Sequence, residues 1–285
     1  MTCARKALVC LNDTPYYHVI ARCVRRAWLW GYDEYAGKDY SHRKSWVLER
    51  LAQLSSIFAV DICAYAIMSN HYHLAVHVDQ QRAKSWLPQE VVERWCKLFS
   101  KPTIVDRWQH GLCSEVEREI AEGIVELWRR RLCDVSWYMR CLNEHLARRA
   151  NAEDGCTGRF WAGSCSMHRR HSLHPCRSEG RFKSQALLDA AGLLTAMAYV
   201  DLNPIRAGIA ETPEASEFTS IYERIKLLKN DANASASEVV KPPLLGFQMP
   251  NVQGEERTCS IPFSLSKYLE LVDCAGSLGQ ASISG

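Results

Sequence analysis

The sequence predicts an α+β protein, in which strands and amphipathic helices follow one another along the chain. Period-two alternation of apolar residues, typical of strands, occurs at 17–25, 61–68 and 71–79. Apolar residues at spacings of three and four, typical of helices, occur at 41–59, 134–150 and 187–202. Ser69-Asn70 supplies turn chemistry between the second and third strands, so these two are expected to form a hairpin.

The residues of the first strand and of the first helix separate into distinct sides. In the strand at 17–25, one side is formed by His18, Ile20, Arg22 and Val24. In the helix at 41–59, the apolar stripe contains Trp46, Val47, Leu51, Leu54 and Phe58. The second strand, at 61–68, is apolar almost throughout and is therefore predicted to be buried.

The strand at 71–79 has the clearest alternation in the chain. Its apolar face contains Tyr72, Leu74, Val76 and Val78. Its other face contains His71, His73, Ala75 and His77. The alternation predicts that one face packs on a core while the histidines share the opposite face.

The rest of the chain is predicted to be mainly helical. Residues 81–133 read as an inserted helical layer with helices at 86–98 and 114–132, and Asp134 can cap a helix that runs to about 150. Shorter strand pieces are predicted at 160–161 and 180–185, and Pro204 is predicted to end the apolar helix at 187–202. We expect one domain over 1–229, followed by a partly ordered C-terminal tail over 230–285.

Composition limits the class of protein without defining its function. The chain has 285 residues, 47% hydrophobic and 24% charged, with a net charge of +3, which is ordinary for a globular protein. Its 13 cysteines form no C-x-x-C pair, and the sequence contains neither a secretory signal nor an apolar run of membrane length. We therefore expect a cytoplasmic protein with reduced thiols and no membrane partner.

Two histidines and two later residues form a candidate catalytic site. His71 and His73 point to one side of a strand about 6.6 Å apart along it, which suits two imidazoles that share a divalent metal. Tyr199 and Asn203 stand one helical turn apart, and supply a phenol nucleophile and an amide oxygen as third ligand. His77 lies about 13 Å from His73, too far to join that metal, and is expected at the surface or as a supporting residue.

Each candidate has an ordinary structural alternative. Tyr199 lies in an apolar helix, where a tyrosine is also a normal core residue, and Asn203 precedes Pro204 and could simply cap the helix. Basic residues concentrate between 140 and 183, which indicates a surface suited to nucleic acid or a solvated face. Candidate phosphate contacts are Arg181, Lys183 and Arg206.

Five segments together resemble the REP-associated tyrosine transposases, which belong to the single-tyrosine HUH (His-hydrophobe-His) transposases. The segments are AYAIMSNHYHLAVHVD, WYMRCLNEHLARR, GRFW, EGRFKSQALL and MAYVDLNPIRAGI, and the resemblance extends over about 16–224. It implies a ferredoxin-like core with a central antiparallel sheet. It also implies that His71, His73 and a polar residue at Asn203 hold Mg²⁺ or Mn²⁺.

The resemblance further implies an activity. Tyr199 would attack a phosphate of single-stranded DNA, at or near short palindromic hairpins, leaving a 5′-phosphotyrosine and a free 3′-hydroxyl. The protein would then be a DNA nicking-and-joining enzyme, as a monomer or a homodimer. Two alternatives stay open on the residues alone: a catalytically decayed hairpin-binding protein, and a hydrolase that uses the two histidines to activate water.

One segment departs from the family pattern. Residues 162–178 separate GRFW from EGRFKSQ, and they contain Cys165, His168, His171, His174 and Cys176. These spacings match no standard zinc finger, so a disordered basic insertion is the preferred interpretation over a small zinc site. Because the insertion splits a predicted hairpin just before the tyrosine helix, it bears on whether the enzyme is active.

Overall fold

A computed structural model describes residues 9–23, 31–33, 37–158, 160–161, 182–229, 240–248 and 259–281, with backbone only at 32–33 and 277–281. Its strands are β1 (Tyr16–Arg22), β2 (Tyr32–Asp33), β3 (Lys38–Asp39), β4 (Val60–Ile67), β5 (His71–Val78) and β6 (Lys183–Ala186). Its first six helices are α1 (Arg43–Ile57), α2 (Gln80–Ser85), α3 (Pro88–Cys96), α4 (Thr103–Gln109), α5 (Glu115–Leu132) and α6 (Val135–Glu153). They are followed by α7 (Ala190–Asp201), α8 (Asn203–Arg206), a 3-10 turn (Pro213–Ala215), α9 (Ser220–Leu228) and α10 (Leu265–Ala281).

Four of the described strands form one antiparallel sheet in the order β4-β5-β1-β6. The predicted hairpin joins β4 to β5 through Ser69-Asn70, and β1 inserts beside β5 with Tyr16 opposite His77 and Arg22 opposite His71. The four-residue strand β6 lies at the edge, on the other side of β1. The fold is therefore of mixed α and β type with an antiparallel sheet, as the alternation predicts.

One face of the sheet packs on the larger core. Tyr72, Leu74, Val76 and Val78 of β5 are all buried in it, as the sequence predicts, together with the apolar stripes of α1 and α6. The helical layer α2–α5 extends the same core, and Trp95 of α3 stacks on Trp128 of α5 with ring centroids 5.3 Å apart. Asp134 caps α6 by accepting a hydrogen bond from the Trp137 backbone, which confirms the predicted start of that helix.

The opposite face of the sheet is lined by small side chains. Cys63, Ala64 and Ala66 of β4 and Ala75 of β5 are fully buried there beneath α7. Because these side chains are short, an apolar helix can lie close to the backbone of the sheet. That close packing brings α7 over the face that carries the histidines.

The end of α7 agrees with the prediction, but a further helical turn follows it. Pro204 does not stop the chain from being helical, because α8 begins at Asn203 immediately after Leu202, which ends α7. Proline is tolerated in the first turn of a helix, where its missing N–H has no intrahelical partner to lose. Tyr199 and Asn203 therefore lie in two successive helices.

The C-terminal segment contacts the core in both of its described stretches. The Leu245 backbone N–H donates to the Ile62 carbonyl at 2.8 Å, beside a parallel bridge between Ile62 and Leu244. Tyr268 and Val272 of α10 are buried in the small-residue cluster with α7. Residues 162–178, the departure from the family pattern, lie outside the described residues. Among the helices that are described, none has the length and apolarity needed to cross a membrane.

Candidate functional site

Three histidines of two neighbouring strands lie on the small-residue face of the sheet. His73 pairs with Ile20 across the β1–β5 ladder, so His18, two residues before Ile20, lies diagonally beside it on the same face. The ring centroids of His71 and His73 are 4.9 Å apart, and those of His18 and His73 are 5.3 Å apart. The strand register thus gathers the imidazoles that the alternation predicts, and it adds His18.

Both ring nitrogens of His73 face polar side chains. Its Nδ1 lies 3.1 Å from Nε2 of His18, and its Nε2 lies 3.3 Å from the amide Nδ2 of Asn203. An amide nitrogen can only donate, so Nε2 of His73 carries the lone pair and Nδ1–H donates to His18. This is the tautomer that binds a metal through Nε2 while a neighbouring side chain holds the other nitrogen.

His71 has the same arrangement of protons. Its Nδ1 lies 2.7 Å from Oδ1 of Asn70, an oxygen that can only accept, so Nδ1 carries the proton and Nε2 the lone pair. Asn70 belongs to the turn between β4 and β5, so the hairpin turn itself orients the first histidine. His71 and His73 therefore both offer Nε2 lone pairs on one face.

Burial keeps these imidazoles uncharged at neutral pH. It lowers the pKa of His18 and of His71 to about 4, with Arg22 adding to the shift at His71. It lowers the pKa of His73 to about 3, with further contributions from His71 and His18. Neutral imidazole is the form that ligates a metal, so no proton has to be removed before these side chains can bind one.

Tyr199 lies at this site and is not a core residue. Its side chain is 41% exposed, whereas its neighbours on α7, Ala198 and Val200, are buried. Its ring meets His73 and His18 edge-on, with centroids 5.7 Å and 5.9 Å apart respectively. The phenol is thus both next to the histidines and open to a substrate.

Asn203 faces the histidines and caps neither helix. Leu202 occupies the cap position between α7 and α8, and no side-chain cap is formed there. The half-buried Asn203 instead directs its amide at His73. Rotating this amide by half a turn would offer its oxygen at the same place, so a metal at Nε2 of His73 could take Asn203 as a ligand.

The donor set suits an ion held by two imidazoles and an oxygen. Among the described residues, no group of three or more His, Cys, Asp or Glu side chains has the arrangement of a metal site. Beside the histidines, the Asn203 amide is a polar group that could serve as a further ligand. Two imidazoles and an amide oxygen fit a divalent ion such as Mn²⁺.

Basic side chains border the site. The Arg206 guanidinium carbon lies 5.2 Å from the centre of the Tyr199 ring. Lys183 of β6 is exposed and pairs with Ile20 of β1, and Ile20 pairs with His73 of β5. Lys183 therefore lies on the histidine face, two strands or about 10 Å from His73. Arg22 is exposed opposite His71 on the same face. Arg181 lies outside the described residues.

His77 is buried, so the surface position, one of the two expected from the sequence, is wrong. It is 6% exposed, and its Nδ1 lies 3.3 Å from Oδ2 of Asp61 and 3.4 Å from the sulfur of Cys259. Burial alone would lower its pKa, but the contacts with Asp61 and Cys259 outweigh burial and raise the pKa of His77 to about 9. His77 is thus part of a separate ion pair and not of the histidine cluster around His73.

Sequence reasoning missed two residues of the site, His18 and Arg22. Both are on the side of the first strand that the alternation identifies, but that pattern does not tell which strand lies next to β1. The pairing of β1 with β5 depends on tertiary structure, and it is this pairing that brings His18 to His73.

Comparisons with known proteins leave the family open. No protein-family model matches the chain, and no curated protein matches it. Among solved structures, the chain is similar to a REP-associated tyrosine transposase bound to a REP hairpin, with a TM-score of 0.43 and 10% identity. The alignment covers 88% of this chain and 100% of that chain. This likeness is below the level at which it defines a fold.

Proposed function

We propose that this chain is a metal-dependent single-stranded DNA endonuclease and strand transferase, a transposase that cuts at or near hairpin sequences through a 5′-phosphotyrosine. His71, His73 and Asn203 would hold Mg²⁺ or Mn²⁺, and Tyr199 would be the nucleophile. We also infer a ferredoxin-like core, since in the order β4-β5-β1-β6 the strand β1 lies between β5 and β6. We place the reaction in the cytoplasm, as the cysteine usage predicts.

One observation carries the proposal: the exposed phenol of Tyr199 and the amide of Asn203 both contact His73. A core tyrosine needs no histidine beside it, and a helix cap needs no imidazole. The two residues come from different helices, and His73 from a strand 126 positions before Tyr199 in the sequence. The five segments named above, read in their order along the chain, support the DNA substrate.

In the proposed reaction, the protein's own groups position the phosphate and the nucleophile. The oxygen of Tyr199 attacks phosphorus in line with the 3′ oxygen, the bond from phosphorus to that oxygen breaks, and the phenol loses its proton while the 3′ oxygen gains one. The tyrosine keeps the 5′ phosphate, so a later 3′-hydroxyl can reverse the step without ATP. Arg206, beside the Tyr199 ring, is placed to hold a phosphate next to the phenol.

The bound cation would supply charge stabilisation at the phosphate oxygens as the transition state forms. The residues that would hold it are the neutral imidazoles of His71 and His73 and the amide of Asn203. His18 would orient His73 by accepting its Nδ1 proton, and Asn70 would do the same for His71.

The proposal is tested by looking for the covalent adduct. Wild-type protein is incubated with labelled single-stranded hairpin oligonucleotides and Mn²⁺, and denaturing gels are inspected for labelled protein. We expect a labelled band that requires Mn²⁺ and disappears in EDTA. Tyr199→Phe should bind the oligonucleotide and form no adduct, while Tyr222→Phe on α9 serves as the matched control that keeps the adduct.

Each alternative gives its own pattern. Binding of the hairpin without any adduct in wild-type protein would favour the decayed binding protein. Cleavage that releases a free 5′ phosphate, with no protein attached, would favour the water-activating hydrolase. His71→Ala should abolish cleavage because it removes one metal ligand, and cleavage that persists in EDTA would contradict the metal role.

A further inference from the structure

The residue midway between Tyr199 and Asn203 is a buried carboxylate. Asp201 is 0% exposed, and its Oδ1 accepts hydrogen bonds from the Ser220 hydroxyl at 2.5 Å and from the Ile221 backbone at 3.0 Å. Its Oδ2 accepts from the Tyr268 hydroxyl at 2.5 Å. A fully buried carboxylate with three donors is held in one position, because each donor replaces a hydrogen bond to water that the buried group has lost.

Two of these contacts connect α7 to α9, and α9 contacts the sheet. The Ser220 hydroxyl that donates to Asp201 also accepts from the Tyr65 backbone N–H of β4 at 3.1 Å. Nearby, Arg224 of α9 donates to the Cys63 carbonyl of β4 and to the Leu245 carbonyl of the C-terminal segment, each at 3.0 Å. Asp201 is thus fixed relative to the sheet that carries His71 and His73.

The third contact connects α7 to α10. Tyr268 is 1% exposed and lies in the same buried cluster as Met197 and Val200 of α7. The hydroxyl of Tyr268 is therefore a buried donor whose acceptor is Asp201. The helix α10, which belongs to the predicted tail, is thus hydrogen-bonded to α7, the helix that carries Tyr199.

The position of Asp201 in α7 makes this contact consequential. Residues two apart in a helix point to nearly opposite sides, so Asp201 is anchored inward while Tyr199 points outward beside His73 and His18. Turning the Tyr199 ring away from the histidines by rotating α7 would withdraw Asp201 from its three donors. Asn203, two residues further on, would move with it.

We propose that Asp201 and Tyr268 are positioning residues that set Tyr199 and Asn203 against His73, so that α10 is a structural part of the site. The effect of these residues on the rate of adduct formation rests on the proposed function. Its geometric content, the placement of Tyr199 beside His18 and His73, can be measured in the protein alone.

The first measurement uses histidine ring resonances in the protein without metal or DNA. Because the Tyr199 ring lies within 6 Å of His18 and His73, its ring current shifts their Cε1–H signals. We expect these two signals to move in Tyr268→Phe and in Asp201→Asn, while the signal of the exposed His110 stays in place. Tyr65→Phe is the matched control, since among the described residues the buried Tyr65 hydroxyl has no hydrogen-bond partner.

The second measurement is the rate of adduct formation at saturating oligonucleotide, well below the unfolding temperature. We expect Tyr268→Phe to lower this rate about 10- to 100-fold, with an unchanged KM for the oligonucleotide, since a small misplacement of a nucleophile has that effect. Tyr65→Phe should react as the wild type does. A variant that is less stable but reacts at the full rate would show that Tyr268 is merely structural.

The two measurements separate the two proposals. If wild-type protein forms no adduct but the His18 and His73 signals move in both variants, the proposed function fails and the positioning role stands. If the signals stay in place in folded Tyr268→Phe and Asp201→Asn, the positioning role is overturned whatever the activity. If Asp201→Asn does not fold, Ser220→Ala replaces it in the same test, because this variant removes the Ser220 hydroxyl that donates to Asp201.

Discussion

Nε2 of His18 lies 3.1 Å from Nδ1 of His73, and this hydrogen bond crosses from β1 to β5. With the amide nitrogen of Asn203 turned to the other nitrogen of His73, the proton of His73 lies on Nδ1 and points at His18. The first strand therefore determines which nitrogen of His73 is available to a metal. This relationship gives the first prediction.

His18→Phe should weaken Mn²⁺ binding about 10- to 100-fold, because it removes the group that orients a proposed ligand. His18→Gln keeps an acceptor oxygen and should lose less. Calorimetric titration with Mn²⁺ in the absence of DNA measures both. An unchanged dissociation constant in the phenylalanine variant would contradict the role of His18.

Tyr72, the residue between the two proposed ligands, should matter for stability and not for metal binding. Its side chain is on the opposite face, where its hydroxyl donates to Oδ1 of Asn143 at 2.6 Å in the core. Tyr72→Phe leaves that amide oxygen buried without this donor and should cost about 1–3 kcal/mol of unfolding free energy. Denaturant unfolding measures the loss, with Tyr65→Phe as the control. A weakened affinity for Mn²⁺ in Tyr72→Phe would show that the two faces are coupled.

The basic residues at the border of the site should contribute to DNA binding through charge. Lys183→Ala and Arg206→Ala should each lower the slope of log K against log salt by about one, since each removes one phosphate contact. The affinity for a hairpin oligonucleotide is measured at salt concentrations from about 50 to about 300 mM, and the slopes are calculated from these affinities. Arg118→Ala, on α5 and outside the sheet, should leave the slope as it is.

His77 predicts a loss of stability at alkaline pH. Its pKa of about 9 lies above the ordinary value of 6.5, so protonated His77 stabilises the fold through Asp61, whose pKa is lowered because contacts with His77 and Arg82 outweigh its burial. This contribution is complete below about pH 6.5 and disappears as the pH rises through about 9. We expect a loss on the order of 1–3 kcal/mol across that interval.

Thermal unfolding of wild type and His77→Asn between these pH values tests this prediction. The stability of the wild type should fall towards that of the variant as the pH increases. His110→Asn, at an exposed position, is the control and should follow the wild type. A constant difference between wild type and His77→Asn at every pH would exclude the ion pair as its source.

The strands and helices with strong periodicity could be predicted closely. The predicted strand at 71–79 is β5 (His71–Val78), and the predicted helix after Asp134 is α6 (Val135–Glu153). Residues such as Tyr72 and Leu74 are buried on the face that the alternation predicts, because side-chain direction in a strand is a local property. The end of α7 before Pro204 was predicted, but the helical turn α8 was not, since a proline that ends one helix can equally begin the next.

The C-terminal segment was the least predictable part of the chain. Its residues 231–238 are small and polar and its last dozen residues are rich in Gly, Ser and Ala, which favours a loose tail. The buried Tyr268 depends on Asp201, which is 67 residues earlier in the chain. The pairing of Leu244 depends on Ile62, which is about 180 residues earlier. Composition reports the average of a segment and not the few side chains that anchor it.

The sequence by itself determined that His71 and His73 share a face, because side-chain direction in a strand follows from local backbone geometry, and that Tyr199 and Asn203 lie close together along the chain. Only the tertiary structure decided that these two pairs meet, that His18 joins them from β1, and that Asp201 holds α7 in place through α10. These contacts bring together parts of the chain that are far apart in sequence. They depend on strand order and helix packing, which no local pattern contains.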